Sequence, residues 1–284
     1  YQVYGPVVDK ETKQTMFVKA DDIAEIDLAA PIPAVPPKHT VFPNFERIMS
    51  YNYDTKSNKV DIKPDFDDKP KALFGLRSCD LTGILCLDRF FLGQEFVDDV
   101  YKNHRKKLFI VTNTCNVPFK QCFCVCTDSG PSAHEGFDLN LTDMGDQYLV
   151  EAGSDKGKAL AEKLGMAKAD DSYKAKKEEV VDSSISKFDA IAKDNKAWVS
   201  RVVNRVTTGL IDEKVWEYIG NQCIECGACS FVCPSCSCFN IVDSCTSASA
   251  ADRIRTWDSC SYEGYTRMAG GHNPRKPVED RRSK

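Results

Sequence analysis

Four cysteines and one proline in the last quarter of the chain constrain this sequence most. They are spaced C-x2-C-x2-C-x3-C-P, as Cys223, Cys226, Cys229, Cys233 and Pro234. Three cysteines at this interval let one tight loop wrap three corners of a [4Fe-4S] cluster, and Gly227 allows the close backbone approach that the loop needs. The run therefore predicts an iron–sulfur site, and in two-cluster proteins the fourth cysteine of such a run binds the other cluster.

Further cysteines follow the run and could complete a second cluster. Cys236 and Cys238 come directly after it, and Cys260 lies beyond a basic segment. Together with Cys233 they make four thiolates, which is the number that one such cluster requires. Cys245 lies in a stretch of serine and alanine and is interpreted as a bystander.

The basic segment before Cys260 contains three residues that we predict to contact a cofactor: Arg253, Arg255 and Trp257. The arginines could offset the negative charge of a cluster and donate hydrogen bonds to sulfur, which raises the reduction potential. A surface salt bridge is the alternative interpretation of both arginines.

A second group of six cysteines lies between Cys79 and Cys126. The candidate metal ligands in this group are Cys79, Cys115, Cys122 and Cys124, and Cys126 could replace Cys124. Buried free thiols are the alternative, since cysteine is among the most buried residue types. That alternative suits Cys86, which lies within an apolar helical pattern.

Two short apolar runs, 72–76 and 108–111, predict buried strands that each deliver a cysteine just past the carboxyl end. Asp80 is predicted to cap the helix that follows the first strand. Ligands of open α/β sheets lie beyond these strand ends, so Cys79 and Cys115 are expected to converge. Residues 157–205 predict helices, and 244–251 a loop or short helix.

The expected architecture is an α/β or α+β N-terminal domain followed by a small ferredoxin-like cluster domain. A gap of 96 residues without cysteine, between Cys126 and Cys223, separates the two cysteine groups. We therefore predict an α/β domain over residues 1–205, with a possible [4Fe-4S] site, and a cluster-binding domain over 206–284. The proline-rich stretch 31–37 is expected to be an extended, rigid connector.

Fourteen cysteines in 284 residues have three competing explanations: disulfides, zinc or iron–sulfur clusters. Disulfides suit small secreted domains, whereas this chain is long enough to build a core. Structural zinc usually uses two Cys/His pairs with a longer spacer, and none of the four histidines falls inside the run. A net charge of -4 gives no electrostatic reason to bind nucleic acid, and no apolar run is long enough to span a membrane.

The sequence resembles one family, which comprises the iron–sulfur beta subunits of cytoplasmic nickel–iron hydrogenases of the sulfhydrogenase type and the corresponding iron–sulfur subunit of anaerobic sulfite reductase. The resemblance covers most of residues 70–280. It rests on segments 75–80, 122–124, 136–142, 223–238, 253–260 and 269–275. Members of the family usually continue into a second C-x2-C-x2-C run, so the chain is expected to be truncated at its C-terminus.

The resemblance implies an electron-transfer subunit with two or three [4Fe-4S] clusters and no catalytic residues of its own. Its partners would be a flavoprotein subunit that binds FAD and NAD(P)H, or a ferredoxin-linked partner, and a catalytic subunit of a hydrogenase, sulfite reductase or similar reductase. Oxygen-sensitive clusters favour an anaerobic cytoplasm. Two alternatives stay open: a zinc-stabilised interaction module, and a stand-alone flavin/iron–sulfur oxidoreductase.

Overall fold

A computed structural model describes residues 1–67, 69–188 and 196–282. The strands are β1 (Gln2–Val8), β2 (Thr15–Lys19), β3 (Phe45–Asp54), β4 (Lys59–Pro64), β5 (Lys71–Arg77), β6 (Leu108–Asn113), β7 (Leu139–Asp143), β8 (Tyr148–Ala152), β9 (Phe239–Ser247) and β10 (Ala250–Trp257). The α-helices are α1 (Ser78–Leu92), α2 (Asp99–Lys106), α3 (Asp155–Lys163), α4 (Ser172–Ser186), α5 (Lys196–Thr207), α6 (Glu213–Asn221), α7 (Ala228–Val232) and α8 (Val278–Arg282).

The larger sheet has six strands in the order β2-β1-β5-β6-β7-β8. Its four central strands are parallel, and an antiparallel strand lies at each edge. Both strands predicted from the apolar runs are confirmed, as β5 and β6, and they are neighbours in this sheet. Leu73 and Ile110 are fully buried, which is typical of parallel strands covered on their faces.

Helix α1 follows β5 without a loop and packs its apolar side into the main core through Leu81, Ile84 and Leu87. The helix begins at Ser78, after the N-cap residue Arg77. The prediction that Asp80 caps this helix is therefore wrong. The buried strand β5 runs straight into the helix, and Asp80 lies in the first turn, where a carboxylate still favours the helix dipole.

The smaller sheet is antiparallel, in the order β4-β3-β10-β9. Its hairpin β9–β10 occupies residues predicted as a loop or short helix, and that prediction is wrong. Serine, threonine and alanine carry no strong periodic signal, and here pairing of β10 with β3 decides the conformation. This pairing runs across the predicted boundary at 205/206, so the two predicted domains share one sheet; the division itself stays a prediction.

The tail, defined as residues 206–284, also packs against the core of the main body. Phe239 and Trp257 contact the core cluster that contains Phe42 and Phe91. The proline-rich connector ends in a short 3-10 helix, Pro37–Thr40, whose Lys38 is buried rather than exposed. The predicted helices of 157–205 are confirmed at α3, α4 and α5, and residues 189–195 lie outside the described part of the chain. Among described residues, no helix has both the length and the apolar character needed to cross a bilayer.

Candidate iron–sulfur sites

The first cysteine group lies at the carboxyl ends of β5 and β6, as predicted. Arg77 and Asn113 are register partners at the ends of the two strands, so Cys79 and Cys115 leave the sheet side by side. The loop after β6 then returns with Cys122 and Cys124. We call Cys79, Cys115, Cys122 and Cys124 the N-terminal group.

The thiols of the N-terminal group are close enough to raise one another's pKa. Burial, and then the neighbouring thiols of Cys115 and Cys122, raise the pKa of Cys124 to about 12. Burial also raises the pKa of Cys79, and charge on Asp80, Cys115 and Cys124 acts in the same direction. Thiolates here are unfavourable without added positive charge, which a bound iron–sulfur core would supply.

Arg77 provides one cation beside this group. Its Nη1 donates a hydrogen bond to Sγ of Cys115 at 3.1 Å, and its guanidinium lies 5.1 Å from the ring centre of Phe119. Burial raises the pKa of Cys115, and Arg77 opposes that shift. The sequence did contain the signal, because Arg77 directly precedes Ser78-Cys79, but the predicted site residues did not include it.

Two other cysteines of the first half sit differently. Cys126 packs with Val125 and Phe188 in a small apolar cluster that also contacts Cys122 and Cys124. Cys86 is half-buried on α1, one turn or more from Cys79. Its interpretation as a packing residue stays a prediction.

The run at 223–229 forms a tight loop before α7. Gly227 caps α7 with φ 73°, and a Cβ there would collide with the hydroxyl of Tyr262. The left-handed conformation and the close contact both explain the need for glycine. The backbone N–H of Glu225 donates to Sγ of Cys223 at 3.3 Å, and Arg281 holds the Glu225 carboxylate at 2.6 Å.

Within this loop Cys226 and Cys229 are exposed and Cys223 is half-buried. An exposed pair of ligands places this part of the tail at the protein surface. Electron transfer between proteins needs such a surface, so the loop is the part of the tail that a redox partner can reach.

The second predicted set, Cys233, Cys236, Cys238 and Cys260, is called the tail quartet. A hydrogen bond with Cys236 lowers the pKa of Cys233 to about 5, and raises that of Cys236 correspondingly. Cys238 lies near enough to Cys236 to raise its pKa further. The hydroxyl of Tyr265 bonds to Cys238 and feels the charge of Cys260, so the structure gathers all four members in one region.

Lys38 is a residue of this site that the sequence reasoning missed. It comes from the first half of the chain, and its side chain is buried beside Cys233, Cys236 and Cys238. Burial lowers the pKa of Lys38, while the three thiols raise it. A signal was available, since Lys38 is the only Lys, Arg, Asp or Glu between residues 29 and 45.

The three residues predicted to contact a cofactor have other partners. Arg253 forms a bidentate ion pair with Asp243 at the surface, which is the salt-bridge alternative. Arg255 is buried and donates to Glu46 at 2.9 Å and to Asp98. Trp257 stacks near Lys38, and its Nε1 donates to the carbonyl of Phe42 at 3.0 Å. Contact of these residues with a cluster stays a prediction.

The donor chemistry fits clusters better than the two rivals. All fourteen cysteines belong to the described residues and are free thiols, with no disulfide among them. A single zinc ion draws its thiolates to about 2.3 Å from one point. Among the residues that the structure describes, no three Cys, His, Asp or Glu converge in this way. Thiols that interact without converging on one point suit the corners of a larger iron–sulfur core.

These sites define an iron–sulfur protein, and comparison with known proteins agrees. Residues 222–284 match the family model of the 4Fe-4S dicluster domain. The chain is 31% identical over 287 aligned positions to sulfhydrogenase 2 subunit beta of Pyrococcus furiosus, across 99% of this chain and 79% of that protein. The chain therefore belongs to the sulfhydrogenase beta-subunit family. No solved structure matches it.

These findings confirm two predictions, the family and the α/β body with a ferredoxin-like cluster domain. They also support an iron–sulfur electron-transfer subunit that carries [4Fe-4S] clusters. The identity of individual ligands, the number of clusters and the partners stay predictions.

Proposed function

We propose that this chain relays single electrons through two or three [4Fe-4S] clusters, each bound by cysteines named above. The tail quartet holds one cluster, and Cys223, Cys226 and Cys229 hold three corners of another. The N-terminal group holds a third, inside the proposed α/β domain of residues 1–205. When bound, each cluster supplies a centre that accepts and releases one electron at a time.

The observation that carries this proposal is the grouping of the tail quartet. Four thiols from two separate segments lie around Lys38 and Tyr265. Thiolates packed this closely repel one another, so the arrangement is favourable only with bound positive charge. The protein would contribute the ligands, a shell with little water, and hydrogen bonds that set the potential.

The family suggests the partners. The relative from Pyrococcus furiosus is by name the beta subunit of a sulfhydrogenase. By analogy, we propose that this chain passes electrons between a flavoprotein subunit, which would bind FAD and NAD(P)H, and the catalytic subunit of a hydrogenase or related reductase. We place this assembly in an anaerobic cytoplasm, because exposed cysteines such as Cys226 would leave a cluster open to oxygen.

The test is anaerobic purification of the native assembly, followed by iron, sulfide and zinc analysis and identification of the co-eluting subunits by mass spectrometry. We expect about four irons per cluster and a visible absorption that dithionite bleaches. A co-eluting nickel protein would indicate a hydrogenase, and a co-eluting sirohaem protein would indicate a sulfite reductase. Colourless protein loaded with zinc would overturn the proposal.

A matched pair of variants tests the quartet. Cys238→Ser should lower the iron content by about four atoms per chain, since one ligand of a four-iron cluster is lost. Cys245→Ser is the control, because Cys245 is an exposed cysteine on the neighbouring strand β9. Equal iron in the two variants would remove Cys238 from the set of ligands.

A further inference from the structure

Lys38 is a buried cation for which neither the fold nor the ion pairs of the body provide a reason. The extended connector and the 3-10 helix Pro37–Thr40 carry it away from solvent, and the residue is 1% exposed. A buried ammonium group is costly unless it is hydrogen-bonded and paired with an anion. Its surroundings therefore indicate what the charge is for.

The contacts of Lys38 lie almost wholly in the tail. Its Nζ donates to the carbonyl of Ser230 at 2.7 Å and to that of Cys236 at 3.2 Å, and it lies 4.3 Å from the ring centre of Trp257. These partners are neutral. The anionic groups that act on the ammonium are the thiols of Cys236, Cys233 and Cys238.

We propose that Lys38 is the cation that sets the reduction potential of the cluster bound by the tail quartet. This inference rests on the proposed function, in which the quartet holds a [4Fe-4S] cluster. Such a cluster with four thiolates is anionic, and it gains one more negative charge on reduction. A fixed positive charge in a site of low dielectric stabilises the reduced form more than the oxidised form, so it raises the potential.

The arginines predicted for this role are less suited to it. The charge of Arg253 is matched by Asp243, and that of Arg255 by Glu46 and Asp98. The ammonium of Lys38 is bound by carbonyl groups and a ring face instead, so its field is available to the neighbouring thiolates. Its two carbonyl partners also fix its position within the loop that carries the quartet.

The experiment is a redox titration of the anaerobically purified assembly, monitored by electron paramagnetic resonance. It compares the native protein with Lys38→Met, which keeps the length of the side chain without the charge, and with Lys38→Arg, which keeps the charge. Lys71→Met is a matched control. Lys71 is also a buried lysine, but it is bound by Asp67 and the carbonyl of Thr40. Iron content is measured on every sample.

We expect Lys38→Met to make one of the cluster potentials more negative, by at least a tenfold shift in the equilibrium between oxidised and reduced cluster, which is about 59 mV for one electron. Lys38→Arg and Lys71→Met should leave that potential close to the native one. Loss of one cluster in Lys38→Met, with retention in Lys38→Arg, would also support the inference, since the charge would then be needed to hold the anionic cluster.

Two results would overturn it. One is an unchanged set of potentials in a Lys38→Met protein that keeps its full iron. The other is loss of the cluster in both Lys38 variants while Lys71→Met retains it, because shape rather than charge would then be the requirement. Absence of iron from the native protein would instead refute the proposed function, so the two failures can be told apart.

Discussion

Gly83 of α1 lies directly against the ring of Pro234, so closely that a Cβ on Gly83 would stand 2.6 Å from Cβ of Pro234. Helix α1 begins beside Cys79, and Pro234 ends the cysteine run of the tail. One van der Waals contact thus joins the helix of the N-terminal group to the loop of the tail quartet. The absence of a side chain at residue 83 is what lets the tail dock.

Replacing Gly83 by alanine should therefore displace the tail. The added methyl group meets Pro234 on one side and cannot move, because it is fixed to a buried helix, so we expect a loss of about 1–3 kcal/mol in the free energy of unfolding. Chemical denaturation measures this loss, and iron analysis shows whether the tail keeps its clusters. Gly264→Ala is the control, since a Cβ at Gly264 meets nothing within 4 Å. Equal stability of the two variants would contradict the role of the contact.

The buried ion pairs of Arg255 should stabilise the union of tail and body. Arg255 on β10 is 1% exposed and binds Glu46 of β3 and Asp98, which caps α2. Arg255→Ala leaves two carboxylates without their cation, and breaking such a buried pair costs about 3–5 kcal/mol. Urea denaturation of the purified protein measures the change.

The neighbouring arginine provides the control for this experiment. Arg253 lies two residues away on the same strand and pairs with Asp243 in solvent. Exposed ion pairs contribute little, so Arg253→Ala should unfold at nearly the native urea concentration. If the two variants lost stability equally, burial of Arg255 would not be the source of its effect.

The cysteines should differ in their effect on iron. Cys226→Ser removes a predicted ligand from the exposed loop, so we expect lower iron content and a less stable tail, because the binding energy of such a site is also folding energy. Cys86→Ser should keep its iron and lose only packing on α1. Elemental analysis and thermal unfolding distinguish the two. Full iron in both variants would exclude Cys226 from the set of ligands.

The stability of the body should depend on pH through His39. Burial lowers the pKa of His39 from its usual 6.5, and Lys71 lowers it further, against the opposing hydrogen bond with the carbonyl of Pro36. A histidine with a lowered pKa in the folded state contributes stability above about pH 6.5, and the protein loses that stability as the pH falls through the lowered value. Unfolding temperatures of the native protein and His39→Gln, measured from pH 8 down to pH 5 (about one unit or more on each side of the usual histidine pKa), check this. The native protein should lose more on acidification, and parallel curves would rule His39 out.

Local information in the sequence was enough for several features. The strands β5 and β6 followed from their apolar runs, and the tight loop at 223–229 from its cysteine spacing and Gly227. A cysteine just past each strand predicted that Cys79 and Cys115 would meet. Parallel neighbours end at the same edge of a sheet, so this convergence needed only the two strands to pair.

The tertiary structure alone decided how the tail joins the body. Hairpin β9–β10 forms because β10 finds β3, some two hundred residues earlier in the chain, and its small polar residues carried no periodic signal for that pairing. The same packing turns Arg255 toward Glu46, Lys38 toward Ser230 and Gly83 toward Pro234. Spacing along a chain can specify which thiols share a loop. Which cation lies beside them depends on contacts between distant segments, and only the folded packing fixes those.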